Sequence, residues 1–353
     1  MKIGIDASRA FVKDPTGTER YSFEVITRLL ALPEAKKHTW ILYTRENIKL
    51  PYLWTQLGLA WKTWTDNLDC LWVPAHTLPI LRRGFGGLGR SLKTVVTIHG
   101  IEYEWLPAYE NLLQRWYLPL STQYAVKSAQ KIIAVSEFTK KQLVERLGAD
   151  EKKIEVVYEG VGSQTLNSKS EILNKLKIQK HKYLLFVGTV QPRKNLVRLI
   201  QAYLALSTNH PALKLVIAGK LGWNYEEVVE LAKRYGVMIV GYINETDRYT
   251  LLQNALVYVQ PSITEGFGLP VLEAMAAGVP VVSSSGGALA EVVGNAGLLF
   301  DPYDVSDMTK KLSVAICDNS LRLALIKKGK QRITFFDWDR AAKRTYNILI
   351  SNS

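Results

Sequence analysis

Short apolar segments rich in β-branched residues alternate with segments of helical periodicity along most of the chain. The predicted strands of the first half are 2–6, 39–44, 71–74, 93–98, 131–136 and 154–158, and its predicted helices are 18–32, 110–128 and 137–147. The second half has predicted strands at 183–187, 214–218, 238–240, 256–259 and 279–283, with helical segments between them. This alternation is typical of βαβ units, so the sequence predicts an α/β fold built on parallel sheets.

The length of the chain, 353 residues, exceeds what one hydrophobic core usually organises, and the polar stretch 163–168 interrupts the alternation. We therefore expect two Rossmann-like domains, 1–165 and 166–335, followed by a helical segment, 336–353, that packs back on the first domain. Ligands of parallel sheets bind at the carboxyl ends of the strands, so we expect the functional site in a cleft between the two domains.

The net charge of +13 attracts phosphate groups, whether they belong to nucleic acid, anionic lipid or a nucleotide. Basic residues are spread over both halves rather than concentrated in a tail. Cys70 and Cys317 lie far apart and form neither a disulfide framework nor a zinc motif, which indicates a reducing compartment. Because the sequence lacks a signal-peptide pattern and an apolar run of membrane-spanning length, we expect a cytoplasmic protein.

Two segments resemble a dinucleotide-binding motif and a metal-binding motif, but the residues around them favour neither function. Segment 84–89 fits G-x-G-x-x-G, but Arg82 and Arg83 precede it and a strand follows it, so a basic loop is expected rather than a dinucleotide site. Asp337 and Asp339 resemble a metal-binding D-x-D pair, but they directly precede a helical segment, where a carboxylate is expected to cap the helix.

The most informative stretch, 261–275, begins where a predicted strand ends. Two glycines allow a tight turn after Glu265, and Pro270 suits the first turn of a helix that carries Glu273. Backbone N–H groups at such a helix start bind anions. The stretch resembles the E-x7-E signature of the retaining glycosyltransferases of family 4, the group 1 transferases, whose GT-B fold has two Rossmann-like domains facing a cleft.

Further segments resemble that family in the expected order. Gly17 and Thr18 match its N-terminal glycine loop, although Glu19 replaces a glycine there. His99 matches a histidine at a strand end, where Gly100 replaces the family's aspartate, so the residue that supports His99 is not identified. The segment 186–195 matches the family's strand followed by a basic pair, and 286–302 matches a block that packs the end of the sheet.

The resemblance implies a nucleotide-diphosphate sugar donor that binds mainly to the second domain, and an acceptor that binds to the first. The basic pair would neutralise the diphosphate leaving group, since an arginine fork and a lysine charge both suit phosphate oxygens. The residues assigned to catalysis are His99, Glu265, Lys194 and Arg193, and by resemblance Glu265 would orient the donor sugar. The residues assigned to the donor are Gly17, Thr18, Arg193, Lys194, Gly266, Phe267, Gly268, Leu269, Glu273 and Tyr242.

The donor expected first is GDP-mannose, with a uridine-linked glucose-type sugar next, and the acceptor is a glycan or a lipid-linked glycan. No metal ion or other cofactor and no nucleic-acid partner is expected. Segments 78–83, 105–107 and 115–118 mix aromatic and basic residues, which suits contact with an anionic membrane at the inner face of the plasma membrane, or a partly buried helix beside an exposed loop. Two alternatives remain: a nucleotide-sugar 2-epimerase on the same fold, and a non-catalytic module that binds sugar or nucleic acid.

Overall fold

The computed structural model describes residues 1–13, 15–44, 54–84, 87, 89, 91–101, 112–162 and 171–351, with only the backbone of 112–116. The chain forms two compact units, Met1–Gly160 with Asp337–Ser353, and Val161–Phe336. The predicted divisions, after residues 165 and 335, lie within a few residues of these boundaries.

The first unit is built on a parallel sheet with the strand order β2-β1-β3-β4-β5-β6. Its strands carry almost continuous apolar sequence, because helices cover both faces of a parallel sheet. The strands are β1 (Lys2–Asp6), β2 (Thr39–Tyr43), β3 (Cys70–Val73), β4 (Lys93–Ile98), β5 (Lys131–Ala134) and β6 (Ile154–Val156).

The helices of this unit follow the strands, as βαβ geometry requires. Ser136 caps α4 (Glu137–Leu147) as the sequence predicts, since its hydroxyl accepts from the backbone N–H of Thr139. The helices are α1 (Gly17–Ala31), α2 (Ala60–Thr65), α3 (Leu112–Ser128) and α4 (Glu137–Leu147).

The second unit is also built on a parallel sheet, with the strand order β12-β11-β10-β7-β8-β9. The chain runs from β7 outward to β9 and then returns to the other side of β7, so β7 and β10 are neighbours where the strand order reverses. The strands are β7 (Tyr183–Val187), β8 (Lys214–Ala218), β9 (Met238–Gly241), β10 (Val257–Gln260), β11 (Val281–Ser284) and β12 (Gly297–Phe300).

The edge strand β12 is absent from the predicted strands, since its segment 286–302 is interpreted from sequence only as a block that packs the end of the sheet. Pro270 lies in the first turn of α9, as predicted. The helices are α5 (Ile172–Leu176), α6 (Leu196–Ser207), α7 (Glu226–Tyr235), α8 (Glu245–Asn254), α9 (Leu269–Ala276), α10 (Leu289–Val293), α11 (Val305–Cys317) and α12 (Asn319–Arg332).

The last helix, α13 (Trp338–Ile350), belongs to the first unit and packs on α1. Asp337 caps it, since its carboxylate accepts from the N–H of Arg340 at 2.7 Å. Asp339 forms an ion pair with Arg28 of α1, with 3.0 Å between Oδ1 and Nε. The D-x-D pair is therefore used for helix capping and docking.

Candidate functional site

The basic pair and the first glutamate of the 261–275 stretch meet where the strand order of the second sheet reverses. Arg193 and Lys194 follow β7, and Glu265 follows the neighbouring strand β10. Loops at the carboxyl ends of strands on either side of such a reversal leave a crevice, which is the usual ligand site of open parallel sheets. The fold thus brings together residues that lie about 70 positions apart in sequence, with separations of 71 and 72.

The backbone around the basic pair is fixed by short contacts. Asn195 adopts a left-handed conformation with φ of 58°, which ends the turn Pro192–Lys194. Its side-chain amide donates to the carbonyl oxygens of Pro261 at 3.0 Å and Pro302 at 2.7 Å. The N–H of Ile263 donates to the carbonyl of Arg193 at 2.8 Å. The loops after β7 and β10 are therefore joined directly.

The Glu265 carboxylate is the centre of the cluster. Its Oε1 accepts from Lys194 Nζ at 2.5 Å, from Ser262 Oγ at 2.6 Å and from Gln260 Nε2 at 2.9 Å. Its Oε2 accepts from Arg193 Nη1 at 2.5 Å. Glu265 is 6% exposed and Lys194 8% exposed, so neither is a solvated surface charge.

The charge state of Glu265 follows from these contacts. Burial by itself raises the pKa of a carboxyl group, but the charges of Arg193 and Lys194 and the hydrogen bonds from Lys194 and Ser262 outweigh it and lower the pKa of Glu265 to about 2. Glu265 is therefore ionised at neutral pH and holds two cations beside it. Arg193 and Lys194 together carry two positive charges against the one negative charge of Glu265, so the cluster as a whole attracts an anion such as a phosphate group.

Glycines shape the turn between Glu265 and α9. Gly268 has φ of 114°, and a β-carbon there would lie 2.8 Å from Leu289 Cδ2. Gly287 has φ of 65°, and a β-carbon there would lie 2.4 Å from the carbonyl oxygen of Glu265. The buried residues Gly266, Phe267 and Leu269 complete this turn. Only glycine fits at positions 268 and 287 without displacing the loop that carries Glu265.

Two further residues assigned to the donor lie on other elements of this unit. Glu273 of α9 is buried and pairs with Arg248 of α8, with 3.5 Å between Oε1 and Nη1. Tyr242 follows β9 and is half exposed, and Lys220 Nζ lies 4.7 Å from its ring centroid. Arg248 has no motif in the sequence that would single it out.

The first unit carries the remaining assigned residues. Gly17 and Thr18 begin α1, where Gly17 is exposed. Glu19, the residue that departs from the family pattern, accepts from the N–H of Thr16 at 2.9 Å and so forms a capping box at this helix start.

His99 follows β4, and both of its ring nitrogens face oxygen acceptors. Nδ1 lies 3.1 Å from Glu159 Oε1, and Nε2 lies 3.0 Å from the carbonyl oxygen of Pro74. The Tyr21 ring packs edge-on against the imidazole, with centroids 4.7 Å apart. Glu159, 60 residues away in sequence, thus supplies the support that the missing aspartate left unidentified.

A second histidine and an acid lie near the strand-order reversal of this sheet, between β1 and β3. The ring centroid of His76 is 5.6 Å from that of His99. Burial, with the nearby charges of His99 and Arg9, lowers the pKa of His76 to about 3, so His76 is neutral near pH 7. Asp6 ends β1 and is also buried, and burial raises the pKa of its carboxyl group. Neither residue stands out in the sequence.

The sequence predicts an exposed face that mixes basic and aromatic residues, but its two arginines in segment 78–83 are not exposed. Arg82 and Arg83 are buried, since their guanidinium groups donate to backbone carbonyls, including that of Ser128 at 3.1 Å for Arg82. Ile80 and Leu81 beside them are exposed. Residues 105–107 and the side chains of Arg115 and Trp116 lie outside the described residues, as do positions 85, 86 and 88 of the glycine-rich segment.

Comparison with known proteins agrees with this architecture. Residues 168–332 match the family described as glycosyl transferases group 1, and residues 18–164 match glycosyltransferase family 4. O-antigen chain mannosyltransferase B of Escherichia coli is 32% identical over 267 residues, which are 73% of this chain and 70% of that protein. O-antigen chain mannosyltransferase RfbU of Salmonella typhimurium is 27% identical over 254 residues, 71% of this chain and 65% of that protein.

Solved structures share the fold. WaaG, a glycosyltransferase involved in lipopolysaccharide biosynthesis, superposes with a TM-score of 0.75 at 17% identity, covering 99% of this chain and 100% of that one. Anabaena Alr3699/HepE in complex with UDP and glucose gives 0.70 at 16% identity, covering 99% of both chains.

Two six-stranded parallel sheets, one with a cationic crevice where its strand order reverses, define the class of α/β enzymes with the GT-B fold. Within that class the chain belongs to the group 1 glycosyltransferases of family 4, and it is a glycosyltransferase.

Proposed function

We propose that the chain is a retaining hexosyltransferase that transfers mannose from GDP-mannose to a glycan or a lipid-linked glycan. The choice of sugar is supported by the relatives, whose names describe O-antigen chain mannosyltransferases. A uridine-linked glucose-type donor is the next candidate, and UDP and glucose are bound in the Anabaena Alr3699/HepE structure.

The observation that carries this proposal is the contact of Arg193 and Lys194 with Glu265 at the strand-order reversal. A sugar diphosphate leaves as an anion, and positive groups already in place stabilise the charge that develops on it. Arg193 and Lys194 supply that charge, so we propose that transfer needs no metal ion.

We propose that the acceptor hydroxyl attacks the anomeric carbon on the face from which the diphosphate departs. The bond from the anomeric carbon to the phosphate oxygen breaks, a bond to the acceptor oxygen forms, and the departing phosphate oxygen takes the acceptor proton. The protein then contributes positioning and charge stabilisation rather than a covalent intermediate. His99, held by Glu159 and Pro74, positions the donor sugar in this scheme.

The test is a transfer assay with GDP-mannose, UDP-glucose and a mannose-terminated glycan acceptor, run with and without EDTA. The proposal predicts transfer from GDP-mannose that EDTA does not abolish, and a product with the anomeric configuration of the donor by NMR. Conversion of the donor to its 2-epimer without acceptor would identify the epimerase instead. An inverted product, or transfer that requires a divalent ion, would contradict the proposed mechanism.

The first unit has an exposed apolar surface that supports contact with a membrane-borne acceptor. Trp64 Nε1 donates to the carbonyl of Leu81 at 3.0 Å, and Gln56 bridges the N–H of Ile80 and the hydroxyl of Tyr117. These contacts make one continuous surface, which we call the aromatic surface. Its exposed side chains are Leu57, Trp61, Trp64, Ile80, Leu81, Tyr117 and Leu120.

We propose that the aromatic surface rests on an anionic membrane, because tryptophan and leucine suit the interface between water and acyl chains. Within the described residues, no helix is both long and apolar enough to cross a bilayer. Flotation with anionic vesicles tests the proposal, with Trp61→Ser/Leu81→Ser compared with Leu323→Ser, an equally exposed leucine of the second unit. We expect the double variant alone to lose binding, and equal flotation of all three proteins would contradict the proposal.

A further inference from the structure

Gln260, the last residue of β10, is a fully buried amide next to the cationic crevice. The hydroxyl of Tyr258 donates to its Oε1 at 2.5 Å. This bond sets the orientation of the amide, so that Nε2 donates to Ser262 Oγ at 2.8 Å and to Glu265 Oε1 at 2.9 Å.

Ser262 completes the arrangement. It is fully buried, accepts from Gln260 and donates to Glu265 Oε1 at 2.6 Å. The three side chains form a closed triangle that holds the carboxylate from the β10 side. Arg193 and Lys194 approach the same carboxylate from the β7 side.

The network is costly to build, because burying polar groups costs free energy that their mutual hydrogen bonds only partly return. Apolar side chains of the same size would pack this position equally well. What the polar side chains add is a fixed place for Glu265 Oε1, whose other partner is the long side chain of Lys194.

The contacts of Oε1 also bear on the role of Glu265. Oε1 accepts from Lys194, Ser262 and Gln260, which use the acceptor capacity of one carboxylate oxygen. That oxygen is therefore directed at the protein rather than at a sugar hydroxyl. Through it, a shift of Gln260 or Ser262 moves the ammonium group of Lys194.

We propose that Gln260 and Ser262 are positioning residues for the diphosphate of the donor, acting through Glu265 on Lys194 and Arg193. The inference rests on the proposed function, since it assumes a nucleoside diphosphate in the crevice. It differs from the role that family resemblance gives Glu265, which is to orient the donor sugar. The two roles are separable, because a nucleoside diphosphate carries the phosphates without the sugar.

The experiment compares wild type with Gln260→Met, which keeps the size of the side chain and removes its hydrogen bonds. Calorimetry measures binding of GDP and of UDP, and a transfer assay measures kcat and KM for the donor. Loss of a hydrogen bond to a charged group leads us to expect binding of the nucleoside diphosphate weaker by roughly tenfold. The KM for the donor should rise by a similar factor, because the phosphates are shared.

A second pair of variants covers the case in which Gln260→Met folds poorly. Tyr258→Phe removes only the hydroxyl that orients Gln260, and Tyr183→Phe is the matched control, since Tyr183 is as buried and its hydroxyl donates to the carbonyl of Leu251 at 2.6 Å. We expect Tyr258→Phe to reduce the free energy of GDP binding by about half as much as Gln260→Met does. Tyr183→Phe should lose as much thermal stability as Tyr258→Phe but leave GDP binding unchanged.

The possible outcomes distinguish a failure of the proposed function from a failure of the inference about Gln260 and Ser262. Wild type that binds neither GDP nor UDP overturns the proposed function and this inference with it. Wild type that binds, with Gln260→Met and Tyr258→Phe binding equally well or more tightly, overturns this inference alone. A rise in the donor KM without any loss of GDP or UDP affinity also overturns it, since Glu265 would then act on the sugar.

Discussion

The two units place a buried carboxylate at the same topological position and give it opposite surroundings. Glu265 lies where the strand order of the second sheet reverses, in contact with Arg193 and Lys194. Asp6 lies at the corresponding reversal of the first sheet, where its Oδ1 accepts from the N–H of Ser8 and from Trp54 Nε1, both at 3.2 Å. Burial raises the pKa of Asp6, whereas the two cations lower that of Glu265 to about 2.

The comparison shows that the parallel sheet determines where a site forms, and the neighbouring side chains determine its charge. An ionised carboxylate that holds two cations creates a site for phosphate. In the first unit, burial disfavours the charged form of Asp6 and leaves His76 neutral near pH 7, so neither side chain supplies a positive charge for phosphate. This contrast supports the proposal that the second unit binds the nucleotide and the first a neutral sugar.

The largest expected effect is on the cationic side of this comparison. Lys194→Ala should lower kcat/KM by about 10²–10³, because it removes a charged donor that stabilises the departing diphosphate. A transfer assay with the nucleotide sugar measures it. Lys310→Ala, which removes an exposed lysine of the same unit, should leave kcat/KM unchanged. Equal activity of the two variants would remove Lys194 from the site.

Glu265→Gln should lower the free energy of unfolding at pH 7 by about 3 kcal/mol, because it leaves the buried Lys194 and the partly buried Arg193 without their carboxylate. The pKa of Glu265 is about 2 in the folded chain, against an ordinary value of 4.5. Its contribution to the free energy of unfolding is therefore present above pH 4.5 and is lost as the pH falls towards 2. Denaturant titrations at pH 7 and pH 3 should therefore show a smaller difference from wild type at the lower pH.

The control for that measurement is Glu245→Gln, since Glu245 is an exposed partner of Arg248 in the same unit. We expect it to change the free energy of unfolding by less than about 1 kcal/mol. A difference between Glu265→Gln and wild type that stays constant from pH 7 to pH 3 would contradict the charge assignment of Glu265.

Glu159→Leu should lower kcat by roughly tenfold, because it removes the acceptor that holds His99 Nδ1 and a hydrogen bond of this kind contributes on that scale. Glu159→Gln keeps an acceptor at the same place and should retain most of the activity. A steady-state assay that separates kcat from KM is needed, and GDP binding should not change. If Glu159→Leu turns over like wild type, Glu159 does not position His99 for transfer.

The smallest effect is expected at Asp6. Because folding raises the pKa of Asp6, its protonated form contributes to the free energy of unfolding. That contribution is present below pH 3.8, the ordinary pKa, and is lost as the pH rises through the pKa of the folded chain. Asp6→Asn imitates the neutral form, although Arg9 partly favours the charge. Denaturant titration should show Asp6→Asn slightly more stable than wild type at pH 7 and equal to it near pH 3. A loss of stability of Asp6→Asn at pH 7 would mean that the fold favours the ionised form of Asp6, as it does for Glu265.

The sequence predicts the frame of both units well, because buried parallel strands are continuous apolar runs. The bounds of β1, β4, β7 and β8 agree with the prediction, and so do those of α4. The edge strand β12 is not predicted although residues 298–300 are apolar, because this run is only three residues long and follows Gly294 and Gly297. Local patterns therefore suffice for strands whose apolar run is long enough to stand out from the turns around it.

The partners within the candidate site are not readable from sequence. Arg193, Lys194 and Glu265 are found from motifs, yet their direct contact is known only from the pairing of β7 with β10. Glu159 follows β6 and reaches His99 only because β6 lies two strands from β4 in the sheet, with β5 between them. Arg82 and Arg83, whose charges predict a surface, are buried because backbone carbonyls accept their N–H groups.

The most direct test of the account is a crystal structure of the chain with bound GDP. The account predicts that the two phosphates lie within hydrogen-bond distance of the Arg193 guanidinium and the Lys194 ammonium, with Glu265 still in contact with Lys194. Phosphates bound elsewhere in the second unit, with these side chains still directed only at Glu265, would contradict it.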